Sequence, residues 1–166
     1  VGVVSDYVSE YNFGDPIFDS VEYDQDISQL QECIDSGSDV NQLNDYKESP
    51  LVIAAREGFV DGMKLLVASG ADLKRDGASA LGAALQEEMT DDSYAVISFL
   101  ITQGVSVDDT DNLGWTSFHH AACVCPPETL RYLLPFRPNI NAQSRGLLTP
   151  LMYAAAAGSK EKVQLL

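Results

Sequence analysis

The chain has 166 residues, 25 of them Asp or Glu and 10 Lys or Arg, for a formal net charge of -15. With 45% apolar residues it has the length and composition to bury a core, which argues against a wholly disordered chain. No stretch approaches the roughly 18 consecutive apolar residues of a membrane span, no signal-peptide pattern opens the chain, and the scarcity of Lys and Arg argues against a nucleic-acid backbone as partner.

Three cysteines, Cys33, Cys123 and Cys125, are an odd number in a chain too large to need staples. They favour a reducing compartment, so the expected location is cytoplasmic, with the nucleus as the other option. The charge is uneven. Asp6, Glu10, Asp15, Asp19, Glu22, Asp24, Asp26, Glu32, Asp35, Asp39 and Asp45 all precede Lys47, the first basic residue. A second acidic group, Glu87, Glu88, Asp91 and Asp92, sits mid-chain, followed by Asp108, Asp109 and Asp111. Such runs read either as a solvated face or as a surface for a basic partner.

In chain order, residues 1–14 form an acidic N-terminal segment, and Asp15-Pro16 opens the first of several similar units. Ser49-Pro50-Leu51-Val52-Ile53-Ala54-Ala55 opens the second, Ser79-Ala80-Leu81-Gly82-Ala83-Ala84-Leu85 marks the third, Thr116-Ser117-Phe118-His119-His120-Ala121-Ala122 the fourth, and Thr149-Pro150-Leu151-Met152-Tyr153-Ala154-Ala155 the fifth. Asp15, Ser49 and Thr149 each place a capping oxygen before a proline suited to the first helical position. The small residues after them allow helices to approach closely. A second helix follows in each complete unit, with an apolar stripe at Leu30, Cys33 and Ile34, at Met63, Leu66 and Val67, at Ile97, Leu100 and Ile101, and at Leu130, Leu133 and Leu134. Gly37, Gly70 and Gly104 stand where a left-handed C-cap is wanted. The closing phrases recur 33, 34 and 33 residues apart, at Asn41, Lys74, Asp108 and Asn141.

These phrases and this period resemble the ankyrin repeat over residues 15–166. The resemblance implies an all-α solenoid of stacked helix-turn-helix units joined by β-hairpin loops, serving as a surface for other proteins. The expected repeats are about 15–44, 45–73, 74–110, 111–143 and a truncated 144–166.

Two units depart from the pattern. In the third, Ser79 follows Gly70 by nine residues, against twelve from Gly37 to Ser49, so its loop should be about three residues shorter. About four extra residues between Gln86 and Tyr94 should lengthen the turn between its helices. In the fourth, Arg137 replaces the closing glycine between Pro135 and Pro138, so the second helix should end near Leu134. The fifth unit stops early, with Val163, Leu165 and Leu166 in an uncapped stripe, and this reads as a piece of a longer chain.

His119, His120, Cys123 and Cys125 form the only metal-like cluster, but the second distant pair that zinc sites use is missing. His119 falls at the histidine of the family's Thr-Pro-Leu-His phrase, which implies a structural hydrogen-bonding role. No nucleophile-base constellation, Walker loop, dinucleotide fingerprint or EF-hand spacing is present, so no catalytic residue, cofactor or metal site is expected.

The resemblance places the informative residues at the hairpin tips. Tyr46, Lys47, Arg75, Asp76, Asn112, Leu113, Trp115, Arg145, Leu147 and Leu148 are the expected contacts, because aromatic residues and arginine dominate binding hot spots. Trp115 and Leu148 could equally fold back onto their own helices as packing. The expectation is a monomeric, non-catalytic module that binds a protein partner through tips and the concave helix face, with the acidity favouring a basic patch on that partner. The alternatives are a targeting segment of a larger enzyme or effector, and a purely structural role in a longer chain.

Overall fold

A computed structural model describes residues 16–86 and 88–166. The acidic segment 1–14, the Asp15 cap and Glu87 lie outside the described residues. Five helix pairs follow one another: α1 (Pro16–Glu22) with α2 (Ile27–Asp35), α3 (Pro50–Arg56) with α4 (Val60–Ala68), α5 (Leu73–Ala83) with α6 (Asp91–Thr102), α7 (Ser117–Cys123) with α8 (Pro127–Leu133), and α9 (Pro150–Ala156) with α10 (Lys160–Leu165). The odd-numbered helices pack on one another in a row, and in the second row α4 bridges α2 and α6 while α8 packs on α10. No strand occurs among the described residues, so the loops joining units carry hairpin-like hydrogen bonds without an assigned β-ladder.

Most of these helices are only six to nine residues long, too short to persist alone in water. Stacking supplies what propensity cannot. Leu51, Ile53, Ala54, Met63 and Leu66 are fully buried, as are Ile97, Leu100, Phe118, Ala121, Leu130 and Leu133. Each of the larger side chains contributes about 1.5–3 kcal/mol by leaving water. The apolar stripes of the second helices therefore face inward as expected. Gly37, Gly70 and Gly104 adopt φ of +95°, +95° and +93°, the left-handed cap that ends α2, α4 and α6. Arg137 takes the same role in unit four at φ +54°, after a 3-10 turn over Leu134–Phe136. The second helix there does stop at Leu133, as the flanking prolines require.

Ser49 and Thr149 occupy N-cap positions before a first-turn proline. Thr149 accepts from the Met152 amide, whereas the buried Ser49 hydroxyl has no partner among the described residues. The capping oxygen expected of Ser49 is thus a correction: proline geometry, not that hydroxyl, starts α3.

Unit three differs more than its length suggests. Its loop is not a shorter hairpin but is absent, because Asp72 caps a helix that begins at Leu73. The Asp72 carboxylate accepts from the Lys74 and Arg75 amides at 3.0 and 3.1 Å, so residues 74–78 form helical turns. The expected longer link between the two helices is present: residues 84–90 join α5 to α6, where only 57–59 join α3 to α4. Gln86 folds back from that link and donates to the Arg56 carbonyl at 2.5 Å.

Cross-ties between units follow the period. Asn41 donates to the Gly70 carbonyl and accepts from the Asp72 amide, and two periods further on Asp108 accepts from the Asn139 amide. At the position between them stands Lys74, which has no side-chain acceptor to offer.

Candidate protein-interaction surface

Three loops share one hydrogen-bonded frame. Asn44, Asp111 and Ser144 each donate their amide to the carbonyl four residues on, at 2.9 Å, and accept from the amide three residues on with their own carbonyl. Their side chains lock the same turn. Asn44 Oδ1 accepts from the Tyr46 and Glu48 amides, Asp111 Oδ1 from the Leu113 and Trp115 amides, and Ser144 Oγ from the Leu148 amide. The fourth residue of each loop is left-handed: Lys47 at φ +66°, Gly114 at +75° and Leu147 at +60°. Only Gly114 is a residue for which that conformation is free of penalty. Tyr46, Leu113 and Leu147 project from these frames with 84%, 63% and 69% of their surface exposed.

The remaining expected contacts divide. Lys47, Asn112 and Arg145 are exposed on the loops, and Leu148 is exposed at the base of the third. Arg145 also leans on the neighbouring loop, where a Cβ on Gly114 would come within 2.8 Å of its Cγ. Trp115 is half-buried, with ring centroids 4.6 Å from Tyr153 and 5.0 Å from His120, so its indole packs between units four and five. Arg75 and Asp76 do not stand on a hairpin tip, which corrects their expected position. They lie in the first turns of α5, Asp76 is buried, and the Arg75 guanidinium grips both its oxygens at 2.8 and 2.7 Å while donating to the Asn41 carbonyl. With that loop gone, the loops of Tyr46 and Leu113 flank a gap of about 260 Å³, floored by Ser79, Gly82 and Ala83 of α5.

The two histidines serve the framework. His119 is fully buried; its Nε2–H donates to the Leu148 carbonyl at 3.0 Å, leaving Nδ1 to accept from the Thr116 amide and hydroxyl. Burial pushes its pKa below the ordinary histidine value, and the neighbouring His120 acts the same way against the pull of the carbonyl. His120 donates to Asp111 Oδ2 at 2.9 Å, bracing the second loop. For Asp111, burial alone would raise the pKa, but the bonds from His120, Trp115 and Leu113 outweigh it and hold the carboxyl below its ordinary value. Cys125 is buried and its thiol is pushed up to about 12 by desolvation, far from a reactive thiolate. Among the described residues no group of three or more His, Cys, Asp or Glu side chains is placed to hold a metal ion, and no helix is long and apolar enough to cross a membrane.

Two features escaped sequence reasoning. Tyr23, exposed at the end of α1, joins Tyr46 across a cavity; the pattern Glu22-Tyr23-Asp24 was its only local signal. The cap Asp72 before Leu73-Lys74-Arg75 was the visible sign that a helix, not a loop, begins there.

A family described as ankyrin repeats (3 copies) matches residues 17–111 and 89–166, and the chain belongs to the ankyrin-repeat family. Among curated proteins it is similar to the BRCA1-associated RING domain protein 1 of Caenorhabditis elegans, at 28% identity over 81 residues, 49% of this chain and 11% of that protein. It is also similar to the transient receptor potential cation channel subfamily A member 1 homolog of the same organism, at 28% identity over 85 residues, 51% of this chain and 7% of that protein. The matched region thus spans about a tenth of each relative's length. Ankyrin repeats are generally modules that bind other proteins, and the fold is generally non-catalytic.

Proposed function

We propose that this chain recognises a partner protein through the row of loop tips at Tyr46, Leu113 and Leu147, with the concave helix face beside them. The observation that carries the reading is Leu147. It is a large apolar side chain, mostly in water, on a left-handed backbone that disfavours any residue with a Cβ by about 1 kcal/mol. With most of that side chain in water, a contact with another molecule accounts for a strained, apolar residue at this tip. The hydrogen-bonded loop frames are already ordered, which limits the entropy lost on docking. The partner is a protein rather than a nucleic acid or membrane on the grounds of charge, and the acidity suits a basic one. The two relatives are each many times longer than the matched segment, which also suits a recruiting module within a larger protein.

The test is affinity capture with the purified chain, set beside a Leu113→Ala, Leu147→Gly variant, followed by reconstitution of the retained pair from pure components. The variant should melt no lower than the parent, because Gly relieves the left-handed strain, and should bind the reconstituted partner at least ten-fold more weakly. Equal binding by a well-folded variant would remove the tips from the interface.

A further inference from the structure

The two most exposed large hydrophobic side chains among the described residues, Tyr46 at 84% and Tyr23 at 74%, line the same cavity. It measures about 420 Å³ and is bounded by Glu22, Tyr23, Asn44, Tyr46, Glu48 and Arg56. Both rings stand on pinned backbone. The Tyr23 and Asp24 amides donate to the Asp19 carbonyl at 3.0 and 3.2 Å, closing the end of α1, and Gln25 turns the chain at φ +45°. The Tyr46 amide donates to Asn44 Oδ1 at 2.9 Å within the first loop. Neither ring stacks on another aromatic among the described residues, so their faces are available.

The charges of the cavity are specific. Arg56, its one cation, is engaged by Glu48 at 2.7 Å and by Glu57 at 3.4 Å. Glu22 has no ion-pair partner among the described residues. The lining therefore holds two carboxylates against one guanidinium that is already paired with Glu48 and Glu57, and Asp24 and Asp45 adjoin it in sequence. An anionic guest would meet net negative charge. A purely apolar one would desolvate Glu22 without a compensating bond. A cation fits both features, because tyrosine faces attract it through their quadrupole while a carboxylate neutralises it.

We infer that this cavity is a binding site for a lysine or arginine side chain of a partner protein, held between Tyr23 and Tyr46 with its charge toward Glu22. The site rests on the reading of the chain as a protein-recognition module and names the chemistry of one contact in it. It lies at the acidic end of the stack, away from Leu113 and Leu147, so it orients the partner along the loops with its basic residue at unit one.

The probe is N-acetyl-lysine methylamide, with the arginine, norleucine and glutamate analogues beside it, titrated at millimolar concentration against the isotopically labelled chain by amide-resolved NMR. The lysine and arginine probes should shift the amides of Glu22, Tyr23, Tyr46 and Glu48, and the norleucine and glutamate probes should leave them in place. Tyr23→Ala and Tyr46→Ala should each weaken the response roughly two- to five-fold, with Glu22→Gln acting in the same direction; all three residues are on the surface, and an unchanged melting curve confirms the fold. Equal shifts by norleucine overturn the site. So do lysine shifts scattered over the acidic surface and untouched by the tyrosine variants. Loss of a partner by the Leu113, Leu147 variant together with no lysine response overturns this site alone, whereas a lysine response with full partner binding by that variant overturns the loop-tip reading alone.

Discussion

His119 shows how a residue can resemble a reactive group and be structural. Its two nitrogens are consumed by the Leu148 carbonyl and by Thr116, and the ring has no exposure. Its depressed pKa has a definite sign in the stability. The unfolded chain binds the proton more readily than the folded one, so the stabilisation is complete above the unfolded value of about 6.5 and is lost as the pH falls below it. Asp111, also depressed, adds a second loss at lower pH, as acid protonates a carboxylate that the native state holds ionised. The melting temperature should therefore decline between about pH 6.5 and 5, and a His119→Gln variant, whatever its absolute stability, should show a flatter slope in that window. An equal slope in both proteins would remove His119 as the source. The position of His119 was legible from its phrase; the role of His120 was not, because its partner Asp111 lies on a loop that only the fold brings alongside.

At the scale of elements, α5 is the instructive case. Aligned by period, residues 74–78 fall at a hairpin tip, yet the missing residues leave too little chain to cross out to a tip and return. The helix that begins at Asp72 uses what remains and satisfies its first amides with that carboxylate. Gly77 is the residue that lets α5 lie against the segment that follows α6: a Cβ there would come within 2.7 Å of Val105 Cγ2, and Val105 is itself buried and stiff. Alanine is the better helix former by about 1 kcal/mol, so a purely local view makes Gly77→Ala stabilising. The close contact should reverse the sign, since overpacking a core costs about 1–3 kcal/mol. Chemical denaturation should show a net loss of about 1 kcal/mol; a gain would mean that the loop of Val105 yields freely. The same packing removes Arg75 and Asp76 from the loop row and pairs them with each other instead.

Taken whole, the molecule is a stack in which units lean on their neighbours, and its charge is as uneven as its sequence. Eleven carboxylates precede the first basic residue, while later units mix signs and tie themselves together, as Arg131 of α8 does to Glu161 of α10 at 2.7 Å. Exposed pairs of that kind contribute little, and the net charge of -15 repels itself. Screening should win: raising sodium chloride from about 10 mM to about 500 mM should raise the melting temperature by a few degrees. A fall would show that surface ion pairs outweigh the repulsion.

The repeat period, the helix pairs, the apolar stripes and the left-handed caps were all determined by the sequence alone, because each depends on residues within a few positions of one another and on a spacing that recurs. The early end of the second helix in unit four follows from Pro135 and Pro138 in the same way. What only the tertiary structure decided is where non-local neighbours take over. Trp115 turns inward because Tyr153 of the next unit offers its ring a face, and Lys162 of α10 is buried because its ammonium reaches the Ala122 carbonyl at the end of α7. Tyr23 and Tyr46 meet across one cavity although about two thirds of a unit of chain separates them. A local pattern sets which face of a helix is apolar; which side chains are left to face a partner depends on what the neighbouring units cover.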